Sequence, residues 1–303
     1  MKIIVTGGLG FIGSAFVRML KSYPNIKTVI VDKQTYASDI KRVEGCNYEL
    51  IKKDICDLEL KDINNCDYIV NFAAESHVDR SISNGLPFVH SNIDGVFNLL
   101  EIAIQIPSLK KFVQISTDEV YGDKLGGQSL TTDPLNPSSY YSASKASADM
   151  LVIAAGRTYD LPYLITRTCN NFGDMQHPEK FIPIIMNCIN DDKEIPIYGD
   201  GSQVREWIWV EDNVTEIFDL ILNNASGISH IGSRDRWQNK ELVQLMGDIL
   251  DKEIKWKYAP DRLGHDKRYA LKSNNQVNMT IDEYLRKQYG NPNNLTWDLD
   301  ISE

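Results

Sequence analysis

Short apolar runs alternate with amphipathic stretches through the first half of the chain. The runs are rich in Val and Ile and end in glycine or polar residues, which is typical of strands buried on both faces of a parallel sheet. The predicted strands span residues 2–6, 28–32, 48–52, 68–72, 111–116 and 163–167. Apolar residues recur at helical spacing in 11–21, 95–106 and 142–159. Strands alternating with helices predict βαβ units, and hence an α/β fold with a doubly wound parallel sheet.

Beyond about residue 170 the pattern changes to loops and short elements. Helical spacing returns only at 210–223 and 239–250, and no Gly-, Ser- or Pro-rich linker marks a domain boundary. We therefore predict two interleaved lobes, a larger one at 1–169 and a smaller one at 170–303, which is not an independent domain. The polar stretch from Asn291 onward is expected to be loosely ordered.

Composition and charge argue against several classes of protein. The 303 residues carry a net charge of -10, whereas a nucleic-acid-binding protein usually presents a basic patch. The five cysteines are scattered and odd in number, which indicates free thiols in a reducing compartment, so a cytoplasmic protein is expected. No apolar run approaches membrane length, and no signal peptide is expected. The histidines lack ligand-like spacing, so no metal site is predicted.

A glycine-rich loop follows the first predicted strand. Gly7, Gly10 and Gly13 stand where the first helix begins. Glycine lets the backbone turn sharply and approach a pyrophosphate, while the helix N-terminus offers free amides and a favourable dipole. Asp32, after the second strand, is placed to accept the adenosine ribose hydroxyls and to repel a 2′-phosphate. The loop therefore predicts a Rossmann-type site for NAD in preference to NADP, although the adjacent Lys33 leaves NADP open.

A tyrosine and a lysine follow one helical turn apart. Tyr141 and Lys145 occur in Tyr-Ser-Ala-Ser-Lys and so share one face of a helix. With the short spacing between Gly10 and Gly13, this pair resembles the extended short-chain dehydrogenase/reductase family. The resemblance implies that Tyr141 takes a proton from the O4 hydroxyl of a sugar. It also implies that Lys145 lowers the tyrosine pKa and holds the nicotinamide ribose.

The stretch Ile-Ser-Thr-Asp-Glu-Val-Tyr places a hydroxyl and two carboxylates at the end of an apolar strand. Within the family, this and other segments resemble the nucleotide-sugar 4,6-dehydratases, above all those acting on dTDP-glucose. The matching segments are 31–37, 73–81, 116–122, 141–146, 170–173, 176–180 and 261–269. By resemblance, Glu119 removes the C5 proton, Asp118 protonates the departing C6 hydroxyl, and Thr117 positions O4. Related 4-epimerases share the loop and the Tyr/Lys pair but are not expected to carry both carboxylates.

The resemblance implies further contacts in both lobes. In the larger lobe, additional NAD contacts are expected at Phe11, Ile12, Thr35, Asp54, Ile55, Ala73, Ala74, Ser76 and Asn92, with Asn171 just beyond it. A nucleotide-diphospho-hexose is expected to contact His77, Asn170, Lys180, Phe181, Pro196, Ile197, Tyr198, Arg205, Asn239, Asp261, Arg262 and His265. Arg205 is the expected diphosphate clamp, because a guanidinium fork fits phosphate oxygens. His77 either touches the substrate or supports residues that do.

Departures from the family pattern lie mostly toward the nucleotide end. Leu263 stands where the family has proline, and Arg234 and Arg236 occupy a segment that is usually rich in glycine and asparagine. The family's final helices are reduced or rebuilt after Ala270. These differences leave the preferred base open between thymine and uracil.

The leading prediction is an NAD-dependent nucleotide-diphospho-glucose 4,6-dehydratase, a lyase of rhamnose-type deoxysugar biosynthesis. The resemblance also implies a homodimer formed through the helices at 95–106 and 142–159. One alternative is a 4-epimerase or decarboxylase of the same fold. A second, from a different class, is a non-catalytic NAD-binding scaffold.

Overall fold

The computed structural model of the chain describes residues 1–290, so the stretch from Asn291 onward lies outside the described residues. The strands are β1 (Lys2–Thr6), β2 (Lys27–Val31), β3 (Glu49–Ile51), β4 (Tyr68–Asn71), β5 (Lys111–Thr117), β6 (Tyr163–Thr168), β7 (Asn170–Phe172), β8 (Ile195–Tyr198), β9 (Val204–Trp209), β10 (Gly227–Ile231), β11 (Arg236–Gln238) and β12 (Trp256–Ala259). The helices are α1 (Phe11–Leu20), α2 (Leu60–Ile63), α3 (Val78–Ser83), α4 (Leu86–Val89), α5 (Gly95–Ala103), α6 (Tyr140–Tyr159), α7 (Phe181–Asn190), α8 (Val210–Leu222), α9 (Asn239–Leu250) and α10 (Ile281–Tyr289).

Seven strands form one parallel sheet in the order β10-β6-β5-β4-β1-β2-β3. All six predicted strands belong to it, and β1 pairs with both β2 and β4. The strand order therefore reverses at β1, which opens a crevice at the carboxyl ends of the strands, where such sheets bind ligands. The prediction of an α/β, Rossmann-type doubly wound parallel sheet is confirmed.

The sheet is covered on both faces, which explains why its strands read as continuous apolar runs. One face packs against α1 and α8 through residues such as Phe16 and Phe218, and the other packs against α5 and α6 through Leu99 and Val152. Every residue of β5 is buried. Among residues 1–290, no helix combines the length and the apolar character needed to cross a bilayer.

The smaller lobe has its own core beneath two small sheets. One sheet has the order β11-β9-β7 and the other pairs β12 with β8. Helices α7, α9 and α10 pack around residues that include Ile185, Trp207, Leu242 and Leu285.

The predicted boundary between residues 169 and 170 does not separate the two lobes cleanly. Helix α8 packs against α1, and β10 pairs in parallel with β6, so residues 210–231 belong structurally to the larger lobe. Sequence analysis missed α7, whose Pro183 stands in the first turn where a helix tolerates it. It also missed β10, whose run Gly-Ile-Ser-His-Ile lacks the dense apolar pattern of the other strands.

Candidate active site

The glycine loop connects the carboxyl end of β1 to α1. Gly7 has a φ of +65°, and a Cβ there would lie 2.6 Å from the backbone nitrogen of Ala73. A Cβ on Gly13 would collide with the carbonyl oxygen of Gly7. Gly10 is the N-cap of α1, so the first amides of that helix have no intrahelical acceptor. The loop therefore presents close backbone and free N–H groups, as a pyrophosphate requires.

Two adjoining cavities of about 560 and 1340 Å³ run along the carboxyl edge of the sheet. They share five lining residues, namely Gly7, Gly10, Ala37, Phe72 and Ala74. The smaller cavity is also lined by the predicted cofactor residues Asp32, Lys33, Thr35, Asp54, Ile55 and Ala73. The larger is lined by Phe11, Ile12, Gly13, Ser76, Thr117, Glu119, Tyr141, Lys145, Asn170, Asn171, Lys180 and Phe181. We call the two together the groove, and its shape fits an extended dinucleotide whose adenosine end lies in the smaller cavity.

Asp32 is held rigidly in the smaller cavity. Its Oδ1 accepts hydrogen bonds from the Gln34 amide at 2.8 Å and the Ser38 hydroxyl at 2.7 Å, and its Oδ2 accepts one from the Leu9 amide at 3.0 Å. Oδ2 keeps a lone pair for a ribose hydroxyl. The Lys33 ammonium lies 3.2 Å from the Asp54 carboxylate, so it already has an anionic partner. This arrangement favours a cofactor without a 2′-phosphate.

Asp54, Cys56 and His90 come together beside the smaller cavity and are the group within residues 1–290 that could hold a metal ion. Burial and the Asp54 carboxylate raise the pKa of the Cys56 thiol to about 12, which disfavours the thiolate that a metal needs. The Lys33 ammonium beside Asp54 opposes a second cation. We assign no metal to this group.

The carboxylate pair begins where β5 ends at the larger cavity. Asp118–Tyr121 forms a 3₁₀ turn whose N-cap is Thr117. The Thr117 hydroxyl donates to Asp118 Oδ1 at 3.2 Å and accepts from the Glu119 amide at 3.3 Å. Thr117 and Glu119 line the cavity, whereas Asp118 is 2% exposed and lies behind them, with its Oδ2 buried and unpartnered.

The two carboxyl groups have different electrostatic surroundings. Burial, then the neighbouring Glu119 carboxylate, raise the pKa of Asp118 well above its usual range. Burial also raises the pKa of Glu119, but Arg205, Arg262 and Lys180 act in the opposite direction. Since adjacent carboxylates resist double ionisation, Asp118 is the group that keeps the proton and Glu119 the one that ionises.

Tyr141 and Lys145 project into the larger cavity from α6. A capping box between Ser139 and Ser142 begins the helix just before Tyr141. Lys145 Nζ donates to the Ile115 carbonyl at 2.5 Å, and burial lowers the pKa of Lys145 to about 8. Burial and the Glu119 carboxylate raise the pKa of Tyr141, which is opposite to the lowering implied by the resemblance. The reason is that desolvation and a nearby anion both oppose the phenolate.

The predicted diphosphate clamp is buried and already partly bonded. Arg205 is 6% exposed and donates to the carbonyls of Val204 and Asp266, each at 3.0 Å. Its guanidinium lies 4.3 Å from the ring centroid of Tyr269. Lys180 Nζ, at the mouth of the larger cavity, donates to the Ser76 carbonyl at 3.2 Å. Both cations thus stand near Glu119 and oppose the rise of its pKa.

Several predicted contacts lie beside the groove instead of lining it. The Asn92 amide donates to the Glu75 carbonyl and the Ser144 hydroxyl, so it braces the loop after β4. His77 Nε2 lies 3.7 Å from Glu179, and its Nδ1 is buried without a partner. The Ile197 side chain is buried in the core of the smaller lobe, whereas its neighbours Pro196 and Tyr198 are exposed.

The segment at 261–265 forms a charged cluster together with Asp79, in which Asp261 is exposed whereas the Arg262 and His265 side chains are largely covered. The Asp261 carboxylate lies 2.7 Å from His265 Nδ1, and Arg262 reaches Asp79 at 3.5 Å. Asn239 is the first residue of α9, and its amide donates to the Gln203 carbonyl. The groups that the resemblance assigns to the nucleotide are therefore spread along the rim of the smaller lobe.

Arg234 and Arg236, which depart from the family pattern, form contacts within the protein. Arg236 forms an ion pair with the fully buried Glu206 at 2.7 Å. Arg234 donates to the Ser273 carbonyl at 2.8 Å. Both side chains hold the C-terminal segment against β9 and are not directed toward the groove.

Sequence analysis also missed some residues of the groove. Glu179 lines the larger cavity and contacts Arg80 at 3.1 Å and the Tyr36 hydroxyl at 3.3 Å, so it joins the two lobes across the groove. Glu179 stands in the segment 176–180, which resembles the family, but the resemblance did not indicate that Glu179 lines the groove. Gln176 and Thr168 also line the cavity, and the sequence pattern held no sign of Thr168.

Comparisons with known proteins agree with this geometry. A model of the NAD dependent epimerase/dehydratase family matches residues 3–232. The low-salt glycan biosynthesis protein Agl12 of Haloferax volcanii is 45% identical over 280 residues, which cover 89% of this chain and 90% of that protein. A dTDP-glucose 4,6-dehydratase of Neisseria meningitidis is 40% identical over 301 residues, covering 89% and 85%.

Solved structures give the same result. The crystal structure of DesIV, a dTDP-glucose 4,6-dehydratase from Streptomyces venezuelae with NAD and TYD bound, has a TM-score of 0.90 and 36% identity, and the match covers 95% of each chain. The resemblance to the 4,6-dehydratases is confirmed, and so is NAD as the cofactor.

Proposed function

The chain belongs to the NAD dependent epimerase/dehydratase family, and we propose that it converts a nucleotide-diphospho-glucose into the 4-keto-6-deoxy sugar nucleotide. The observation that carries this proposal is the adjacent carboxyl pair, in which Glu119 lines the same groove as Tyr141 and Lys145 and Asp118 is buried directly behind it. A simple dehydrogenase needs only the tyrosine and lysine. Two further acid–base groups fit a reaction that also removes water.

The residues of the groove fit each proton transfer of such a reaction. NAD held between the glycine loop and Asp32 would supply reversible hydride chemistry for C4 and C6 of the hexose. Tyr141 takes the O4 proton as the phenolate, and the ammonium of Lys145 on the same helix face is the cation that favours this form against burial and Glu119. Ionised Glu119 removes the C5 proton, which the C4 ketone makes acidic. Protonated Asp118 serves the departing C6 hydroxyl, so its raised pKa is the direction that this role needs.

Asp118 does not line the cavity, so it donates its proton through the Thr117 hydroxyl. The Thr117 hydroxyl lies within hydrogen-bond distance of Asp118 Oδ1 and also lines the cavity, so it can stand between the acid and the leaving group. A hydroxyl both donates and accepts, so once it turns to accept from protonated Asp118 and to donate to the leaving oxygen it passes one proton from the first to the second. Thr117 thus belongs to the acid side of the pair as well as to the positioning of O4.

The substrate is a nucleotide diphosphate sugar with thymine or uracil as base. Arg205 and Lys180 supply the charge for the diphosphate, and Asp261, Arg262 and His265 border the nucleotide. The product fits rhamnose-type deoxysugar biosynthesis. An epimerase or decarboxylase of the same fold is the second candidate, because Tyr141 and Lys145 alone satisfy its oxidation step.

The enzyme acts as a homodimer in the cytoplasm. Phe97 on α5 and Met150 on α6 are about half exposed although the two helices pack together, which leaves apolar surface for a second copy. All five cysteines are free thiols, in keeping with a reducing compartment.

The deciding experiment is incubation of the purified enzyme with dTDP-, UDP-, GDP- and CDP-glucose and detection of the alkali-labile 4-keto product by absorbance. A 4-keto-6-deoxy product, identified by mass as the loss of one water, is expected with the dTDP or UDP sugar. Formation of only a C4 epimer, with no loss of water, would replace the proposal with the epimerase. The single variant Lys111→Met, in a residue remote from the groove, serves as a control for purification and folding.

A further inference from the structure

A buried ion pair lies directly behind the catalytic residues. Arg167 Nε donates to Asp149 Oδ2 at 2.9 Å, and both side chains are at most 1% exposed. Arg167 is on β6, where it is in register with Ser116 of β5, and Asp149 is on α6. The pair therefore joins the strand beside the carboxylates to the helix that carries Tyr141 and Lys145.

One side of this pair reaches the turn that holds the carboxylates. Arg167 Nη1 donates to the Tyr121 hydroxyl at 2.5 Å, and its guanidinium lies 4.9 Å from the centroid of that ring. Tyr121 is the last residue of the 3₁₀ turn that begins at Asp118. A displacement of Arg167 would therefore move Tyr121 and change the geometry of the turn.

The direction of each hydrogen bond from Arg167 through Tyr121 to His230 follows from the groups that can only accept. His230 Nδ1 lies 3.1 Å from the Lys272 carbonyl and must donate to it, and burial lowers the pKa of His230 to about 4. The ring is thus neutral, and Nε2 accepts from the Tyr121 hydroxyl at 2.6 Å. The hydroxyl can then accept only from Arg167, so every hydrogen bond in the chain has one direction.

The other side of the pair lies on the same helix face as the catalytic lysine and acts on it through space. Asp149 follows Lys145 by one helical turn, so both lie on one face of α6, and both are buried. Burial lowers the pKa of Lys145, and the Asp149 carboxylate is the charged group that opposes this. Of the other charges near α6, Asp118 and Glu119 face Tyr141, and Arg167 faces Asp149. Burial likewise raises the pKa of Asp149, against the cation of Arg167.

Stability is a weak explanation for such a pair. Desolvating two charges costs several kcal/mol, and well-packed apolar residues of similar size are often as stable. A role in placing neighbouring groups explains better why the charges stand between the two catalytic elements.

We propose that Arg167 and Asp149 are positioning residues that couple the tyrosine–lysine helix to the carboxylate turn, Asp149 through Lys145 and Arg167 through Tyr121. The inference deepens the proposed function and rests on it for the step assigned to the turn. The effect on the helix is measured on oxidation at C4, which a dehydratase and an epimerase both carry out, so this half does not depend on the proposed function. The two sides can therefore be tested separately.

Asp149→Asn tests the helix side, because the amide oxygen can still accept from Arg167 while the negative charge is lost. In single-turnover mixing of the NAD-loaded enzyme, the alkaline limb of reduced-nicotinamide formation should move by about one pH unit to lower pH. Titration of the Lys145 side chain by NMR with ¹³C-labelled lysine should move in the same direction without any turnover. Lys145→Arg identifies the resonance by its loss.

Tyr121→Phe tests the turn side, because it removes only the hydroxyl that Arg167 contacts. Oxidation at C4 and its pH limb should stay near wild type, while exchange of the C5 hydrogen and loss of water should slow about tenfold or more. Lys111→Met is the matched control: Lys111 is 2% exposed at the opposite end of β5, so the change should lower the melting temperature and leave both steps unchanged.

The double variant Asp149→Asn/Arg167→Met removes both charges and guards against a folding defect caused by an unpaired arginine. If it and Asp149→Asn leave the lysine titration at the wild-type pH, the helix side is wrong. If Tyr121→Phe slows all steps equally, or none, the turn side is wrong. A wild-type enzyme that oxidises C4 but never releases water would refute the proposed function instead, and the lysine titration would still decide the role of Asp149.

Discussion

The two ends of the substrate site are built on different kinds of structure. At the sugar end, Thr117 ends a fully buried strand and Glu119 lies in the turn that follows it, while Tyr141 and Lys145 stand on a capped twenty-residue helix. At the nucleotide end, Asp261, Arg262 and His265 lie on a segment between β12 and the buried Tyr269, and Leu263 beside them is 76% exposed.

This difference in supporting structure indicates which part of the site needs precisely placed side chains. Regular elements packed on both sides hold side chains more precisely than loops do. In the proposed mechanism the sugar end places three proton-transferring groups around one ring, so it requires that precision. The nucleotide end needs mainly charge and a surface for a base, so it tolerates departures such as Leu263. Variants at the sugar end should therefore change individual chemical steps, whereas variants at the nucleotide end should change affinity.

The largest effect is expected for Tyr141→Phe. Removal of the phenolic oxygen leaves no group on the groove to take the O4 proton, so oxidation at C4 should fall by about 10²–10⁴-fold or more. Single-turnover absorbance should show neither reduced nicotinamide nor product. Tyr140→Phe, on the exposed neighbouring residue, is the matched control and should behave as wild type. Appearance of reduced nicotinamide at the normal rate in Tyr141→Phe would contradict the assignment.

The carboxylate variants should separate the two steps that follow oxidation. Glu119→Gln should accumulate reduced nicotinamide with little exchange of the C5 hydrogen into deuterated water. Asp118→Asn should slow loss of the C6 hydroxyl by about 10²–10⁴-fold with oxidation largely intact. Rapid C5 exchange in Glu119→Gln would refute the base assignment. Near-normal overall rates in both variants would favour the epimerase.

The raised pKa of Asp118 gives this pair a defined pH dependence. An acid works only while it is protonated, so water loss in the wild type should decline as pH rises through that pKa. Asp118→Asn should lack this limb, because an amide does not titrate there. Equal slopes in the two proteins, measured by single-turnover product formation, would remove Asp118 from the acid role.

Arg205→Ala should raise the Michaelis constant more than it lowers the rate of any chemical step. Losing one partner of a buried charge-assisted contact costs about 2–5 kcal/mol, or about 30-fold to several thousand-fold in affinity. Calorimetric titration with the nucleoside diphosphate alone should show the same loss. Arg157→Ala, in an exposed arginine of the last turn of α6, is the comparison and should leave the affinity near wild type. Unchanged diphosphate affinity in Arg205→Ala would show that it is not the clamp.

Leu263→Pro should have the smallest effect. Proline restores the residue that the family carries there and reduces the freedom of the exposed segment, which is worth about 0.4–1 kcal/mol. The Michaelis constant should fall by about two- to fivefold at an unchanged turnover number. A drop in turnover number would mean that the nucleotide end controls the chemistry after all, and the contrast between the two ends would fail.

The sequence predictions were likewise more accurate at the sugar end of the site than at the nucleotide end. The six strands, the glycine loop and the helix of Tyr141 were predictable because periodicity and turn chemistry are local properties. At the nucleotide end, the contact of Arg236 could not be predicted because its partner Glu206 is 30 residues away in the chain. The rise in the Tyr141 pKa was likewise missed, since its causes are burial and Glu119, and both depend on how α6 packs against β5.

The sequence by itself determined the strand and helix pattern, the NAD loop with Asp32, and the four chemical groups at residues 118, 119, 141 and 145. These features depend on residues that are close together in the chain, so the local backbone geometry is enough to bring their side chains together. Only the tertiary structure decided which carboxyl keeps its proton, that Asp118 stands behind Thr117, and that Arg167 and Asp149 link the two catalytic elements. Those properties arise from burial and from contacts between distant segments, because desolvation and charge pairing act through space and not along the chain.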